Sequence, residues 1–131
     1  AGKRSYHHTA PVNSLYALHE ALLVLRNEGL EQAWARHRVM HDKLKLGLEK
    51  LGFEFVVAED CRLPQLNAIY IPEGVDEAKV RAHLLNQYNL EIGAGLGTLA
   101  GKAWRIGLMG YGARSENVAL CLRALEESLT N

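Results

Sequence analysis

The chain is poor in cysteine, proline and aromatic residues, has no excess of charge of either sign, and contains no long apolar run. Its two cysteines, Cys61 and Cys121, lie far apart in 131 residues. A secreted disulfide scaffold would be denser in cysteine, and a CxxC-type zinc site is excluded by count and spacing. Two reduced thiols in an intracellular protein are expected. Lys and Arg number 15, Asp and Glu 15, so the formal net charge is zero. The basic excess that marks a nucleic-acid binder is missing. At 48% hydrophobic, the chain is too apolar for a disordered segment and long enough to bury one core. No apolar stretch approaches the roughly 20 residues of a membrane span. The chain opens on Ala1, with neither an initiator Met nor a signal-peptide pattern, as expected of a processed start or a piece of something longer. It ends Leu129-Thr130-Asn131, which is not a peroxisomal SKL-type address, so the cytoplasm is expected.

What is present is leucine, 22 of 131 residues, in a mixture of periods. Residues 1–12 have none and read as an extended lead-in, with Pro11 turning Ala10 away from helix. Asn13 or Ser14 can cap a helix whose stripe is Leu15, Leu18, Leu22 and Leu25, closed by Gly29. A second helix is expected over 30–51, with Leu30, Ala33, Trp34, His37, Met40 or His41, Leu44, Leu48 and Leu51 on one face. The period then drops to two. Residues 53–57 and 66–71 read as strands, separated by a polar loop. Asp76 caps a third helix with Val80, Leu84 and Leu85 inward, ended by Asn89. Residues 90–92 and 104–109 read as strands around a glycine-rich loop, and they can pair as a hairpin. The last helix starts at Ser115 and buries Val118, Leu122, Leu125 and Leu129. This order predicts a single α+β domain: a small, mostly antiparallel sheet with helices packed on one face.

Candidate sites are few. Gly95-Leu96-Gly97-Thr98-Leu99-Ala100 matches the relaxed dinucleotide pattern GxGxxA. That pattern requires a helix after the loop, to bring its N-terminus to the pyrophosphate, and here a strand follows. Two readings stay open, a flexible interstrand loop or a loop lining a site. His37 and His41 lie four apart on a helix, but no third ligand stands near and position 38 is Arg, so partly exposed helix histidines are expected and no metal. Arg105 sits in an apolar strand between Trp104 and Ile106. It either faces solvent or is aimed into a cleft to hold a carboxylate through two parallel hydrogen bonds. Tyr6 and Thr9 place two hydroxyls around His7 and His8, where they could grip an anion or serve as ordinary polar loop residues.

The segments SYHHTAPVNSLYALHEAL, GLEQAWARH and IGAGLGTLAGKAWRIGLMGYGA, with the helix from Ser115, resemble class V aminotransferases. The likeness is to the alanine–glyoxylate and serine–pyruvate branch, and it spans nearly the whole chain. It implies that residues 1–131 are the C-terminal small domain of a fold-type I enzyme dependent on pyridoxal phosphate. Residues 1–14, the lead-in and the start of the connecting helix, would belong to the large domain. It implies a homodimer with its active site at the subunit interface, moving an amino group from an amino acid such as serine or alanine to glyoxylate or pyruvate. Tyr6 and Thr9 match the family's phosphate-binding hydroxyls, and Arg105 matches its substrate-carboxylate arginine. The family's Schiff-base lysine has no counterpart among these lysines, so no catalytic residue is assigned within the chain and the fragment alone is expected to be inactive. No nucleic acid or membrane partner is implied. The sulfur-removing relatives usually employ a reactive loop cysteine, and neither Cys61 nor Cys121 has a supporting pattern. A stand-alone, non-catalytic α+β binding or interaction module is the alternative.

Overall fold

The computed structural model describes Gly2 and residues 7–130. The chain divides into two compact units, residues 1–33 and 34–131. The first holds helix α1, Val12–Glu28, and the opening of helix α2, Leu30–Lys50. α1 begins after Pro11, whose fixed φ of −74° suits a helix entry. Neither Asn13 nor Ser14 caps it, because both already lie inside the helix; no side-chain cap is made. Its apolar stripe exists at the spacing expected, yet no residue of α1 is buried and Leu15, Leu18 and Leu22 are exposed. Gly29, at φ +90°, ends it.

The second unit carries the sheet. Strand β1 is Leu66–Tyr70, β2 is Gly93–Ala94 and β3 is Ala103–Gly107. Their order is β1-β3-β2, antiparallel throughout. Successive side chains of a strand point to opposite faces. Asn67 and Ile69 of β1 therefore share one face with Trp104 and Ile106 of β3, all buried. That face joins one core with Met40, Leu44 and Leu48 of α2, with Val80 and Leu84 of helix α3 (Glu77–Tyr88), and with Val118, Cys121, Ala124 and Leu125 of helix α4 (Ser115–Thr130). The α+β architecture with helices gathered on one sheet face is the one the periods predict. Asp76 caps α3 by accepting from the amides of Ala78 and Lys79, both at 3.1 Å, and Asn89 ends it in the left-handed conformation. No helix of the described residues is long and apolar enough to cross a membrane.

Several expectations need correction, among them Leu85 of α3, which is exposed and not inward. The strand over 53–57 contracts to one bridge, Phe55 to Ile69. Two backbone bonds flank it, the Tyr70 amide to the Glu54 carbonyl (2.8 Å) and the Val56 amide to the Ala68 carbonyl (2.9 Å), and the chain then enters a 3₁₀ turn at Glu59–Cys61. The strand over 90–92 begins later, at Gly93, because Leu90 is still tied to α3, its amide donating to the Leu84 carbonyl. Trp34 and Leu30 are exposed rather than on the buried side of α2. In the glycine-rich loop the amides of Leu99, Ala100 and Lys102 each donate three residues back, and residues Gly97–Leu99 form a 3₁₀ turn. A strand, β3, follows it.

Candidate functional site

The sheet face turned away from the core is where chemistry can happen. In register along it stand Leu66, Ala68 and Tyr70 of β1, Gly107, Arg105 and Ala103 of β3, and Gly93 of β2. Arg105 sits in the centre row, opposite Ala68 on one side and Gly93 on the other. Small neighbours on both flanks leave its long side chain room to lie over the sheet. It is half-buried, and its Nε donates to the carbonyl of Ala94 at 2.8 Å. Among the described residues neither terminal nitrogen makes a hydrogen bond, and Arg105 joins none of the ion pairs Lys45–Glu59, Arg81–Glu77 and Arg123–Glu127. A guanidinium anchored through Nε presents its Nη edge as a planar fork, the donor set for a carboxylate.

Tight turns hold the surroundings. A Cβ at Gly95 would lie 2.0 Å from the Leu99 carbonyl oxygen, so the return of the loop toward β3 admits only glycine there. After β3, Arg36 of α2 clamps the next turn, Nη1 donating to the carbonyls of Gly110 (2.8 Å) and Ala113 (3.1 Å). Below the open face, Asn67 is fully buried. Its Oδ1 accepts from His41 Nδ1 at 2.7 Å, which sets the His41 tautomer and ties β1 to α2. His37 and His41 are thus buried, against the partly exposed positions expected of them, because their helix face packs inward. Sequence reasoning missed Arg36, Asn67 and Gly93. None of the three carries a signal in the sequence that singles it out.

Tyr6 lies outside the described residues. Thr9 is exposed in a non-helical stretch just before α1. Beside it, the first-turn amides of α1 have no side-chain cap. A hydroxyl and uncapped helix amides are donors that suit a phosphate, so this end of the first unit fits such a group. Two of the lysines described are engaged. Lys43 donates to Ser115, and the hydrogen bond to Glu59 holds Lys45 above the usual lysine range.

The two thiols differ sharply. Burial pushes Cys121 up to about 12, whereas Cys61 is exposed. A thiol reagent applied to the native protein at about pH 8, near the ordinary thiol range, should label Cys61 and spare Cys121, with both labelled after unfolding. Mass spectrometry reads the outcome, and native labelling of Cys121 at the Cys61 rate would mean that α4 opens readily.

No family model matches the chain. Among curated proteins, it is 41% identical over 127 residues to the (S)-ureidoglycine–glyoxylate transaminase of Bacillus subtilis, covering 97% of this chain and 30% of that protein. It is 42% identical over 127 residues to the alanine–glyoxylate aminotransferase of Callithrix jacchus, covering 96% and 31%. The crystal structure of the alanine–glyoxylate aminotransferase from Nostoc sp. superposes with a TM-score of 0.91 at 47% identity, over 98% of this chain and 34% of that one. The chain spans about a third of the length of the relatives it matches. Sequence and fold agree that the chain is similar to the C-terminal part of alanine–glyoxylate and ureidoglycine–glyoxylate aminotransferases.

Proposed function

We propose that this chain supplies the substrate-carboxylate half of the active site of a class V transaminase that uses pyridoxal phosphate. The amino donor would be serine or alanine and the acceptor glyoxylate or pyruvate. The observation that carries the reading is Arg105, fixed through Nε by the Ala94 carbonyl with its terminal nitrogens unpaired among the described residues. A guanidinium left without an anion on a half-buried face is poised to take one from outside. It would hold the α-carboxylate and so set the orientation of the Cα–H bond. Proximity of this kind, not bond-making, is what such a residue adds. The cofactor, when bound, supplies the electron sink for that carbon.

Thr9, with Tyr6, would hold the cofactor phosphate. The exposed Thr9 hydroxyl and the uncapped start of α1 support this role. The family resemblance supports the homodimer with a shared active site, and the free thiols of Cys61 and Cys121 suit the reducing cytoplasm. The proton-abstracting lysine belongs to another part of the full-length protein, so the 131 residues alone should be inactive.

The test is made on substrate rather than on protein. In the full-length protein, the amide of the amino-acid substrate should bind at least about tenfold more weakly than the acid, since a charge-assisted fork contributes about 1.5–3 kcal/mol. In an Arg105→Gln variant, acid and amide should bind alike. Equal binding of the two by the unaltered protein would overturn the assignment.

A further inference from the structure

We infer that Gly93 determines how Arg105 meets its carboxylate: the side chain missing there is the space in which the guanidinium lies. This rests on the carboxylate-binding reading of Arg105 given above. Gly93 and Arg105 are direct partners in the β2–β3 register. A Cβ built on Gly93 would stand 3.2 Å from Arg105 Nη2, 3.4 Å from Nε and 3.5 Å from Arg105 Cβ. Directly opposed residues of an antiparallel pair ordinarily keep their Cβ atoms about 4.5–5.5 Å apart. The closeness shows that the arginine leans across β2, over the position where any other residue would project.

The backbone does not ask for glycine here. Gly93 is absent from the positive-φ residues, and it lies in a strand. Its lack of a side chain therefore serves the arginine and not a turn. Gly95, two residues on, is the opposite case, since its obstacle is the backbone carbonyl of Leu99. At Gly93 the first atoms met belong to the far end of a flexible side chain. An added methyl would be accommodated by moving the guanidinium, and with it the fork. The Nε bond to Ala94 would be strained at the same time, because Nε is the second atom in the way. Ala68, on the other flank, is already small but carries its Cβ.

The experiment uses the full-length protein with its cofactor, and amino-acid KM as the readout. Gly93→Ala should raise KM about three- to tenfold, and Gly93→Val, β-branched and suited to a strand, about ten- to a hundredfold, since misplacement of a binding group by about 1 Å can cost 10²-fold. KM should rise by more than kcat falls, with cofactor retention and thermal midpoint close to those of the parent. In an Arg105→Lys background, whose side chain lacks the nitrogens that the methyl meets, Gly93→Ala should change KM by less than about twofold; a coupled pair departs from additivity in this way. A Gly93→Ala effect that persists undiminished in the Arg105→Lys protein overturns the inference, as does an unchanged KM in both Gly93 variants. If Arg105→Lys alone leaves KM unchanged, the carboxylate reading fails, and the Gly93 inference falls with it. If Arg105→Lys raises KM and the Gly93 variants do not, only the Gly93 inference fails.

Discussion

Replacing Arg105 by alanine in the full-length protein should raise the KM of the amino-acid substrate by about 10- to 150-fold, the equivalent of about 1.5–3 kcal/mol of charge-assisted hydrogen bonding. The effect should fall on substrate and not on cofactor. The proposed phosphate contacts are made by Tyr6 and Thr9, and not by the arginine. Cofactor absorbance after gel filtration should therefore match that of the parent. The fold should tolerate the change, since Arg105 is on the open face and its only hydrogen bond among the described residues is to Ala94. Arg105→Lys should recover part of the affinity at most, because an ammonium is a point charge without the planar fork. An unchanged KM in Arg105→Ala would remove the arginine from substrate binding.

Trp104→Ala should cost about 3–5 kcal/mol of folding stability, the range for truncating a buried aromatic. Trp104 is fully buried, its ring edge-on to Phe53 at 6.1 Å between centroids, in the core cluster shared by α2, α3 and α4. Against a typical domain stability of about 5–15 kcal/mol, that loss leaves the second unit marginal. Urea midpoints followed by far-ultraviolet circular dichroism check it. Trp104→Phe should lose less. It keeps a ring against Phe53 and removes an indole N–H that is buried without a properly aligned partner, although it lies near enough to Glu77 to favour that carboxylate. Equal losses in the two variants would show that the ring packing is not what stabilises this core. Arg105 is the next residue on the same strand, so the alanine variant should also lose substrate affinity as β3 loosens.

These two residues also show how far a linear reading reaches. Alternation placed Trp104 and Ile106 on one side of a strand and Arg105 on the other, and the sheet has them so. The helices were legible where an apolar spacing coincided with a cap, as at Asp76 and Asn89. The edges of the sheet were not legible. Residues 53–57 alternate like a strand, yet they pair with β1 only at the Phe55–Ile69 bridge, which the pattern alone does not show. Burial of His41 depends on Asn67, 26 residues later, which supplies the acceptor that lets an imidazole go inside. Trp34 looks like core by spacing and is exposed. Within the site, Arg105 could be singled out because a charge in an apolar strand is conspicuous. Gly93 could not, because what matters there is an absence beside a side chain 12 positions on, visible only once the register is known.

The carbonyl of Ala94 has a consequence for equilibrium as well as geometry. β2 has two residues, Gly93 and Ala94, and the second provides the acceptor that orients the arginine. A two-residue strand at a sheet edge opens far more easily than the core beneath it. Each opening would release Arg105 Nε and let the guanidinium rotate, so under the proposed role the binding-competent arginine would exist only in the closed fraction of molecules. The apparent dissociation constant for a carboxylate would then be the intrinsic one divided by that fraction. By the same linkage a carboxylate held as proposed would zip β2 shut, and amide exchange at the hairpin would become a gauge of how full the site is.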